Sequence, residues 1–312
     1  MTRTRTFINA HLQRSTYGLL FQSIWGDDSF FMAVGESGRV EISEKRYKLT
    51  CHLQTSCNGL LLEFERGGKY KPYVLNPSTR QIFTLPPIVG YKLVYERFAI
   101  AYAAASMEYK AVVLFRPGRG MKRICCILTI GVDNSWRTLG KESASLVATQ
   151  MFVRAPLITE GFMHFYHISS NKVLTLNVET EIITETSGPT PKGKQNQRNI
   201  YLSMGRYLSM LRPCGKFCWE VWEMKPKIDY RWRKVCDISL EAHKFSTFKR
   251  LDYNEYDEYL FPVGWLKYLE ILVFKSYTKR SQIFVYNLLT YEIVTIELPA
   301  PNCDYSLQAC SA

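Results

Sequence analysis

The chain has 312 residues, of which 46% are hydrophobic, 22% charged and 14% aromatic. This composition excludes a mainly disordered chain, and the length suits one large all-β domain or two smaller domains. The net charge of +12 is compatible with an acidic partner or with nucleic acid, but net charge alone establishes neither.

Short apolar runs and period-2 alternation run along the whole chain, whereas helical periodicity is hard to find. In chain order, they predict strands at 59–64, 73–76, 111–115, 124–130, 162–168, 172–178, 217–224, 231–238, 270–275, 282–287 and 292–297. Glycine, proline and asparagine separate these runs, and they favour turns for stereochemical reasons. Regular short strands with turns between them indicate a sandwich, a barrel or a propeller.

One unit recurs along the chain, with a glycine before an apolar strand and an Asn-centred turn after a second strand. The glycines are Gly59, Gly161 and Gly264, and the turns are at Asn76, Asn177 and Asn287, each followed three positions later by threonine. The glycines are 102 and 103 residues apart. Since kelch-type blades run ~50 residues each, every interval would hold two blades.

The intervening units each carry a tryptophan strand, at 134–139 and 230–235, and Gly205 stands where a further unit would start. We therefore predict an all-β fold, a kelch-like β-propeller of about five or six four-stranded blades. A pair of β-sandwiches is the alternative.

Several of these segments resemble the F-box-associated (kelch-like propeller) domain of plant F-box proteins. The matching stretches are Ser56-Cys57-Asn58-Gly59-Leu60-Leu61, Asn76-Pro77-Ser78-Thr79-Arg80, Leu85-Pro86-Pro87, Asn134-Ser135-Trp136-Arg137 and Glu220-Val221-Trp222-Glu223-Met224. The resemblance spans most of residues 50–300. It implies structural roles in the family motifs for Asn58, Gly59, Asn76, Pro77, Thr79, Trp136, Trp222 and Trp232, and we expect the three tryptophans to pack between blades.

The resemblance implies a non-catalytic protein-interaction domain, similar to the substrate-recognition part of an SCF-type ubiquitin ligase. No segment resembles the F-box itself, and residues 6–12 resemble the stretch that normally follows it. We therefore expect a short helical or irregular remnant at 1–16 after a missing F-box, the propeller domain at 17–300 and an irregular tail at 301–312. On this basis a Skp-type adaptor is a doubtful partner.

Catalytic and metal-binding patterns are weak. Acid pairs such as Asp27 and Asp28 are typical of solvated loops, and His164 and His167 would face opposite sides of a strand. Cys214 and Cys218 are a lone pair without the second pair that a zinc site needs. We predict no enzyme activity, no cofactor and no metal.

The nine cysteines are odd in number, and Cys125 and Cys126 are adjacent in an apolar run, so a disulfide framework is disfavoured. Buried thiols of a reducing compartment, the cytoplasm or nucleus, are the better interpretation. No secretory signal follows the N-terminus and no run reaches about 18 apolar residues, so we expect no membrane span.

The bound target is expected to be a protein of unknown identity. Tyr253, Tyr256 and Tyr259 stand in an acidic, turn-rich stretch and are the candidate partner-binding residues. Three basic clusters, at 116–123, 192–198 and 231–234, are best interpreted as solvated charge, and their first functional use would be to attract an acidic protein partner. The alternatives are a basic propeller that binds nucleic acid, a truncated F-box-derived protein that joins no ligase, and a carbohydrate-binding propeller.

Overall fold

The computed structural model describes residues 17–23, 29–43, 52–64, 71–77, 79–88, 94–118, 121–140, 156–166, 171–189, 199–215, 217–226, 229–241, 260–276, 282–298 and 305–311. These residues contain 24 β-strands, which form six four-stranded sheets. The all-β prediction and the four-stranded units are confirmed, and the number of sheets is six. Residues 1–16, for which a remnant was predicted, lie outside the described residues.

Three sheets follow one another in the middle of the chain, and consecutive strands pair antiparallel in each. Sheet two consists of β4 (His52–Cys57), β5 (Leu60–Phe64), β6 (Pro72–Asn76) and β7 (Gln81–Thr84). Sheet three consists of β8 (Val94–Ala103), β9 (Glu108–Arg116), β10 (Ile124–Thr129) and β11 (Arg137–Thr138). Sheet four consists of β12 (Leu157–Thr159), β13 (Phe162–Tyr166), β14 (Lys172–Asn177) and β15 (Ile182–Ser187).

The other three sheets come from the two ends of the chain. Sheet five consists of β16 (Ile200–Met204), β17 (Tyr207–Gly215), β18 (Cys218–Met224) and β19 (Trp232–Ser239). Sheet six consists of β20 (Leu260–Lys267), β21 (Ile271–Ser276), β22 (Gln282–Asn287) and β23 (Ile293–Glu297). Sheet one combines β1 (Tyr17–Ser23), β2 (Ser29–Val34) and β3 (Val40–Ser43) with the C-terminal β24 (Tyr305–Ser311), in the order β24-β1-β2-β3.

The chain divides into two compact units, one with sheets two, three and four and the other with sheets one, five and six. Within the first unit, one apolar core lies between sheets two and three and another between sheets three and four. Within the second unit, the cores lie between sheets five and six and between sheets six and one. Sheet three and sheet six each contribute to two cores and are therefore apolar on both faces. This explains why their strands appear in the sequence as continuous apolar runs.

The Asn-Gly motif closes a two-residue hairpin. Asn58 and Gly59 have φ angles of 52° and 76° and lie between Cys57 and Leu60, which pair across β4 and β5. Positive φ at both central residues is what a type I′ turn requires, and Asn-Gly is the dipeptide that best adopts it.

The recurring asparagine closes the turn before the last strand of three sheets. The Oδ1 atom of Asn76 accepts a hydrogen bond from the Thr79 amide at 3.2 Å, and Asn177 and Asn287 do the same with Thr180 and Thr290. The residue after each threonine, namely Arg80, Glu181 or Tyr291, has positive φ. The repeat seen in the sequence is thus a side-chain-capped turn.

Gly264 does not have the role that the repeat assigned to it. It lies inside β20, whereas Gly59 and Gly161 lie in the turns after β4 and β12. In sheet six the corresponding turn is formed by residues 268–270, where Leu269 has φ of 58°. A Cβ at Gly264 would lie 2.3 Å from the Leu19 Cδ2 atom, so close packing explains this glycine.

The C-terminal tail was predicted to be irregular, and this was wrong for Tyr305–Ser311. These residues form β24, which pairs with β1 at the edge of sheet one. Tyr305, Leu307 and Ala309 alternate with Ser306 and Gln308, so the sequence held a short strand signal that the prediction overlooked. Pairing with a strand from the other end of the chain fixes its conformation.

Free thiols are present at Cys57, Cys125, Cys126, Cys214, Cys218 and Cys236. Cys125 belongs to the core between sheets three and four, and Cys126 to the core between sheets two and three, so the adjacent pair does face opposite sides. Burial raises the pKa of Cys57 to about 12 and that of Cys126 to about 11. These thiols are protonated at neutral pH and act as small apolar side chains.

The described residues contain no helix with the length and apolar character that crossing a membrane requires.

Candidate functional site

Two of the three basic residues in the predicted cluster at 231–234 are paired with acids. Arg233 Nη2 lies 2.5 Å from a carboxylate oxygen of Asp229, and Lys234 Nζ lies 2.7 Å from Asp237 and 3.2 Å from Glu220. In these exposed ion pairs the acid offsets the charge of the base, although each pair adds little to stability. The cluster at 192–198 lies outside the described residues.

The cluster at 116–123 is different, because the fold places two of its arginines side by side. Phe115 of β9 pairs with Ile124 of β10. Arg116, the last residue of β9, and Arg123, the residue just before β10, therefore lie next to each other beyond that pair. Lys122 beside them is exposed, and Arg119 lies outside the described residues.

A third arginine joins them from β8. Arg97 pairs with Leu114, which stands two residues before Arg116 on β9. Because residues two apart in a strand share a face, Arg97 and Arg116 project on the face that carries Leu114. That face of sheet three packs against sheet four. Cys125 lies on the same face, and so does Arg123, which stands two residues before it. Arg97, Arg116 and Arg123 are called the arginine cluster below.

The arginine cluster is partly removed from water. Arg123 is only 7% exposed, and Arg97 and Arg116 are half-buried. Burial, and then the positive charges of Arg116 and Arg97, lower the pKa of Arg123 from 12.5 to about 10. The Arg116 Nε atom is buried and has no hydrogen-bond partner among the described residues.

Three guanidinium groups on one face favour a ligand with several negative oxygens. Guanidinium groups match phosphate and carboxylate oxygens in pairs of parallel hydrogen bonds. A guanidinium group stays protonated near neutral pH, so the arrangement suits binding and not acid–base chemistry.

The sequence reasoning missed Arg97, which stands 19 positions before Arg116. The available signal was the alternation of Arg97 with Ala99, Ala101 and Ala103, which places all four on one face of a strand. The alanines hid that strand, because alanine is depleted in β-sheets.

At the other end of sheet three, positive charge is balanced by an acid from sheet four. Glu181 lies 2.9 Å from the Lys110 Nζ atom and forms a two-pronged ion pair with Arg137. Hydrogen bonding from Arg137 first, and then from Lys110, lowers the pKa of Glu181 to about 2. Glu179 also accepts hydrogen bonds from the backbone amides of Ala105 and Ser106. This network joins two sheets, and its charges are satisfied internally.

The second unit contains a stacked tyrosine pair. The rings of Tyr207 and Tyr268 are parallel, with centroids 4.1 Å apart, and the Tyr268 hydroxyl donates to Glu223 at 2.7 Å. Lys225 pairs with Glu223 at 2.9 Å, and both Lys225 and Arg206 lie over the Tyr207 ring. Burial, followed by Glu223, raises the pKa of Tyr268. These side chains satisfy one another, so the group is interpreted as a packing feature of the fold and not as a binding site.

Tyr253, Tyr256 and Tyr259, the predicted partner-binding residues, lie outside the described residues. Their part in binding stays a prediction.

The motif tryptophans are all half-buried. Trp136 bridges two sheets, because its Nε1 atom donates to the Pro86 carbonyl oxygen at 2.7 Å and its ring lies edge-on to Phe98. The described contacts of the other two are inside sheet five: Trp222 donates to Glu220, and Trp232 lies edge-on to Tyr201.

His164 is fully buried between two hydroxyl groups. Its Nε2 atom lies 2.8 Å from Thr159 Oγ1 and its Nδ1 atom 3.0 Å from Thr175 Oγ1. Burial lowers the pKa of His164 to about 3, so the ring is neutral at physiological pH. His167 lies outside the described residues.

Cys214, one of the two neighbouring cysteines in sheet five, is a protonated thiol at neutral pH. Burial, and then the Cys218 thiol, raise the pKa of Cys214 to about 11. Among the residues whose positions are described, no group of three or more His, Cys, Asp or Glu side chains could hold a metal ion.

Comparison with known proteins gives a family and a fold. The family model described as "F-box associated beta propeller domain" matches residues 13–307. A search of curated proteins finds no match.

Among solved structures, a chain of a nidogen/laminin complex is similar with a TM-score of 0.51 and 9% identity, over 94% of this chain and 98% of that one. TolB from Acinetobacter baumannii has a TM-score of 0.48 and 9% identity, over 94% and 66% of the two chains. A putative 6-phosphogluconolactonase from Bacteroides uniformis has a TM-score of 0.46 and 10% identity, over 93% and 99%. At such low identities only the fold is comparable, and only the first similarity is close enough to support it.

Proposed function

The chain belongs to the family of F-box associated β-propeller domains, and on this premise we propose that it recognises a protein target, as the substrate-recognition part of an SCF-type ubiquitin ligase does. The observation that carries the proposal is the family match, which covers nearly the whole chain. The sheets supply a rigid framework, and binding residues of such proteins stand on the connections between strands.

We propose further that the domain is non-catalytic. The buried His164 is neutral and satisfied by two threonine hydroxyls, and the thiols with a shifted pKa are all shifted towards the protonated form. Shared fold with proteins named as enzymes does not transfer an activity. Free cysteines support an intracellular location, in the cytoplasm or the nucleus.

The test is affinity capture with the tagged full chain from plant cell extract, in the presence and absence of excess untagged chain. We expect a small set of proteins that the untagged chain displaces, and direct binding once one of them is purified. If every retained protein survives the competition while the bait has its β-sheet circular dichroism spectrum, target recognition is contradicted.

Docking to the ligase is a separate property, because the Skp-type adaptor is bound by an F-box and not by the propeller. A pull-down of purified adaptor by the full chain tests whether the chain docks to the ligase, and this test does not require the target to be known.

Nucleic-acid binding is a second candidate, favoured by the net charge of +12 and by the arginine cluster. It requires an affinity for RNA or DNA that falls steeply as salt rises. Absence of binding to either at low salt removes it.

A further inference from the structure

The hairpin between β17 and β18 brings two cysteines together at one end of sheet five. Pro213 of β17 pairs with Trp219 of β18. The next pair, Gly215 with Cys218, lies two residues further along β17 but only one residue away along β18. This is a β-bulge, in which two residues of one strand oppose a single residue of the other. Cys214 and Gly215 therefore both stand opposite Cys218.

The two strands approach each other closely at the bulge. A Cβ built at Gly215 would lie 3.3 Å from the Cys218 Cβ atom. Two cysteines can be bridged where their Cβ atoms come within about 4.5 Å of each other, and the strands are that close here. The thiol groups of Cys214 and Cys218 are hydrogen-bonded to each other. The two sulfur atoms are therefore neighbours in the reduced protein.

The cysteine pair is accessible to small molecules from the solvent. Cys214 is exposed and Cys218 is half-buried. Cys236 of the same sheet pairs with Val221, which stands three residues after Cys218 in β18. Residues three apart in a strand lie on opposite faces. Cys236 accordingly packs against the core between sheets five and six, whereas Cys214 and Cys218 lie on the other face.

From this geometry we infer that Cys214 and Cys218 are a modification site, at which a small-molecule disulfide such as oxidised glutathione forms a reversible disulfide bond between them. The exposed Cys214, as its thiolate, attacks one sulfur of the small disulfide, which gives a mixed disulfide and releases one thiol. Cys218 then attacks the Cys214 sulfur and releases the second thiol. Two electrons pass from the protein to the oxidant, and the two thiol protons end on the two released thiols.

The surroundings of the pair make this exchange slow near neutral pH. Burial, then the Cys218 thiol, and then the negative charges of Glu220 and Asp237 raise the pKa of Cys214 to about 11. Only the thiolate attacks a disulfide, so the reactive fraction is small. The site therefore responds to the lasting redox state of its compartment and not to a brief pulse of oxidant. Its rate of oxidation should rise about tenfold per pH unit between pH 7 and 9, as the thiolate fraction does.

The experiment uses the purified full chain in buffers with defined ratios of reduced to oxidised glutathione. Free thiols are then alkylated and the chain is digested with trypsin. Trypsin cuts after Lys216, between the two cysteines, so a disulfide between Cys214 and Cys218 joins two peptides that otherwise separate. Mass spectrometry measures the joined fraction. The variant is Cys218→Ser, and the matched control is Cys236→Ser, which removes a half-buried thiol from the opposite face of the same sheet.

We expect joined peptides in wild type and in Cys236→Ser. In Cys218→Ser the peptides should stay separate, and Cys214 should carry one glutathione. The glutathione ratio at half oxidation gives the equilibrium constant for the disulfide. This constant should be at least about tenfold larger for the folded chain than for the chain in urea, because the bulge holds the two thiols together. By linkage, the oxidised chain should unfold at a higher temperature than the reduced chain.

Four results overturn the assignment. A wild-type chain that stays reduced in oxidised glutathione up to pH 9 excludes the modification. Glutathione on Cys214 of wild type without joined peptides shows that Cys218 is out of reach. Equal equilibrium constants in the folded and unfolded chains show that the fold does not prepare the pair. Oxidation that is lost in Cys236→Ser and kept in Cys218→Ser places the reactive thiols elsewhere.

Discussion

Single side chains decide how positive charge is arranged on sheet three. In the network around Glu181, the carboxylates of Glu181 and Asp133 pair with Lys110 and Arg137, whereas the other end of the same face of sheet three brings the arginine cluster together. The two ends of sheet three thus differ in their electrostatic environment. The first end holds its acids and cations in one hydrogen-bonded network, and at the second end burial and the neighbouring positive charges lower the pKa of Arg123 to about 10.

The Glu181 network makes a direct prediction about stability. Glu181→Gln leaves the buried Lys110 without its acid and should lower the free energy of unfolding by about 1–3 kcal/mol at pH 6. Glu185→Gln removes a more exposed pair with Lys172 and should cost under about 1 kcal/mol. Denaturant unfolding of both variants measures the difference.

The penalty of Glu181→Gln should also depend on pH. The pKa of Glu181 is lowered in the folded protein from 4.5 to about 2, so the unfolded chain takes up the proton first as pH falls. The stabilisation is therefore complete above pH 4.5 and disappears between pH 4.5 and 2. A penalty that is the same at pH 6 and pH 3 would contradict the ion pairs.

His164 gives the corresponding prediction for a buried base. Because burial lowers its pKa from 6.5 to about 3, the unfolded state binds a proton below pH 6.5 that the folded state refuses. The contribution of His164 to stability should therefore fall as pH drops from 6.5 towards 3. Nuclear magnetic resonance of the ring should show no titration between pH 7.5 and 5, and a ring that titrates near 6.5 would refute the buried position.

At the scale of elements, the sequence predicted the turns better than the strands. The asparagine followed three residues later by threonine proved to be one turn used three times, because an Asn side chain organises its own turn without help from the rest of the fold. The strand β8 was missed, since Ala99, Ala101 and Ala103 owe their buried strand conformation to packing against sheet four. Arg97 was lost with it.

Gly264 shows the limit of reading a period from one residue type. In the sequence it continued the spacing of Gly59 and Gly161, but those two have positive φ in turns, and Gly264 makes room for Leu19 inside a strand. Glycine is suited both to a turn with positive φ and to a strand that has no room for a side chain. Only the position of the neighbouring sheet shows which of these two reasons applies.

This role of Gly264 can be tested by adding one methyl group. Gly264→Ala places a Cβ 2.3 Å from the Leu19 Cδ2 atom in a fully buried contact, and it should cost about 1–3 kcal/mol. Gly140→Ala, where nothing lies within 4 Å, should change stability by less than about 0.5 kcal/mol. Unfolding of Gly264→Ala in the Leu19→Ala background should show a smaller cost, and an unchanged cost would contradict the contact.

At the scale of the whole molecule, sheet one is assembled from both ends of the chain. Its order β24-β1-β2-β3 makes the last residues part of the fold, although the sequence there predicted an irregular tail. The local alternation of Tyr305, Leu307 and Ala309 with polar residues indicates a strand, but it cannot show the partner, because β1 stands almost 290 residues away in the chain. The general architecture was predictable since repeated turns and apolar runs are local.

Removal of β24 tests this assembly. Deletion of residues 305–312 leaves β1 with an unpaired edge and several backbone groups without partners, and we expect a loss of at least about 2 kcal/mol in the free energy of unfolding. Deletion of Ala312 alone is the control and should be neutral. Equal stability of the two truncated proteins would show that β24 does not belong to the sheet.

The candidate site could be predicted only in part. The basic cluster at 116–123 was visible in the sequence, but its meaning depended on whether acids lie beside it, and that is set by register and by neighbouring sheets. The same type of cluster at 231–234 is paired with Asp229, Asp237 and Glu220. The amino-acid composition of the two clusters is similar, so the sequence alone could not show which of them is paired with acids.

The most direct test of target recognition through the arginine cluster is photo-cross-linking in living plant cells. A benzoylphenylalanine is placed at Lys122, at the edge of the cluster, or at Arg39, an exposed turn residue of the second unit. We predict a discrete protein adduct from position 122 that disappears when Arg116→Gln is added, and none of the same mass from position 39. An adduct that forms at 39 but not at 122, or that ignores Arg116→Gln, would contradict recognition at this site.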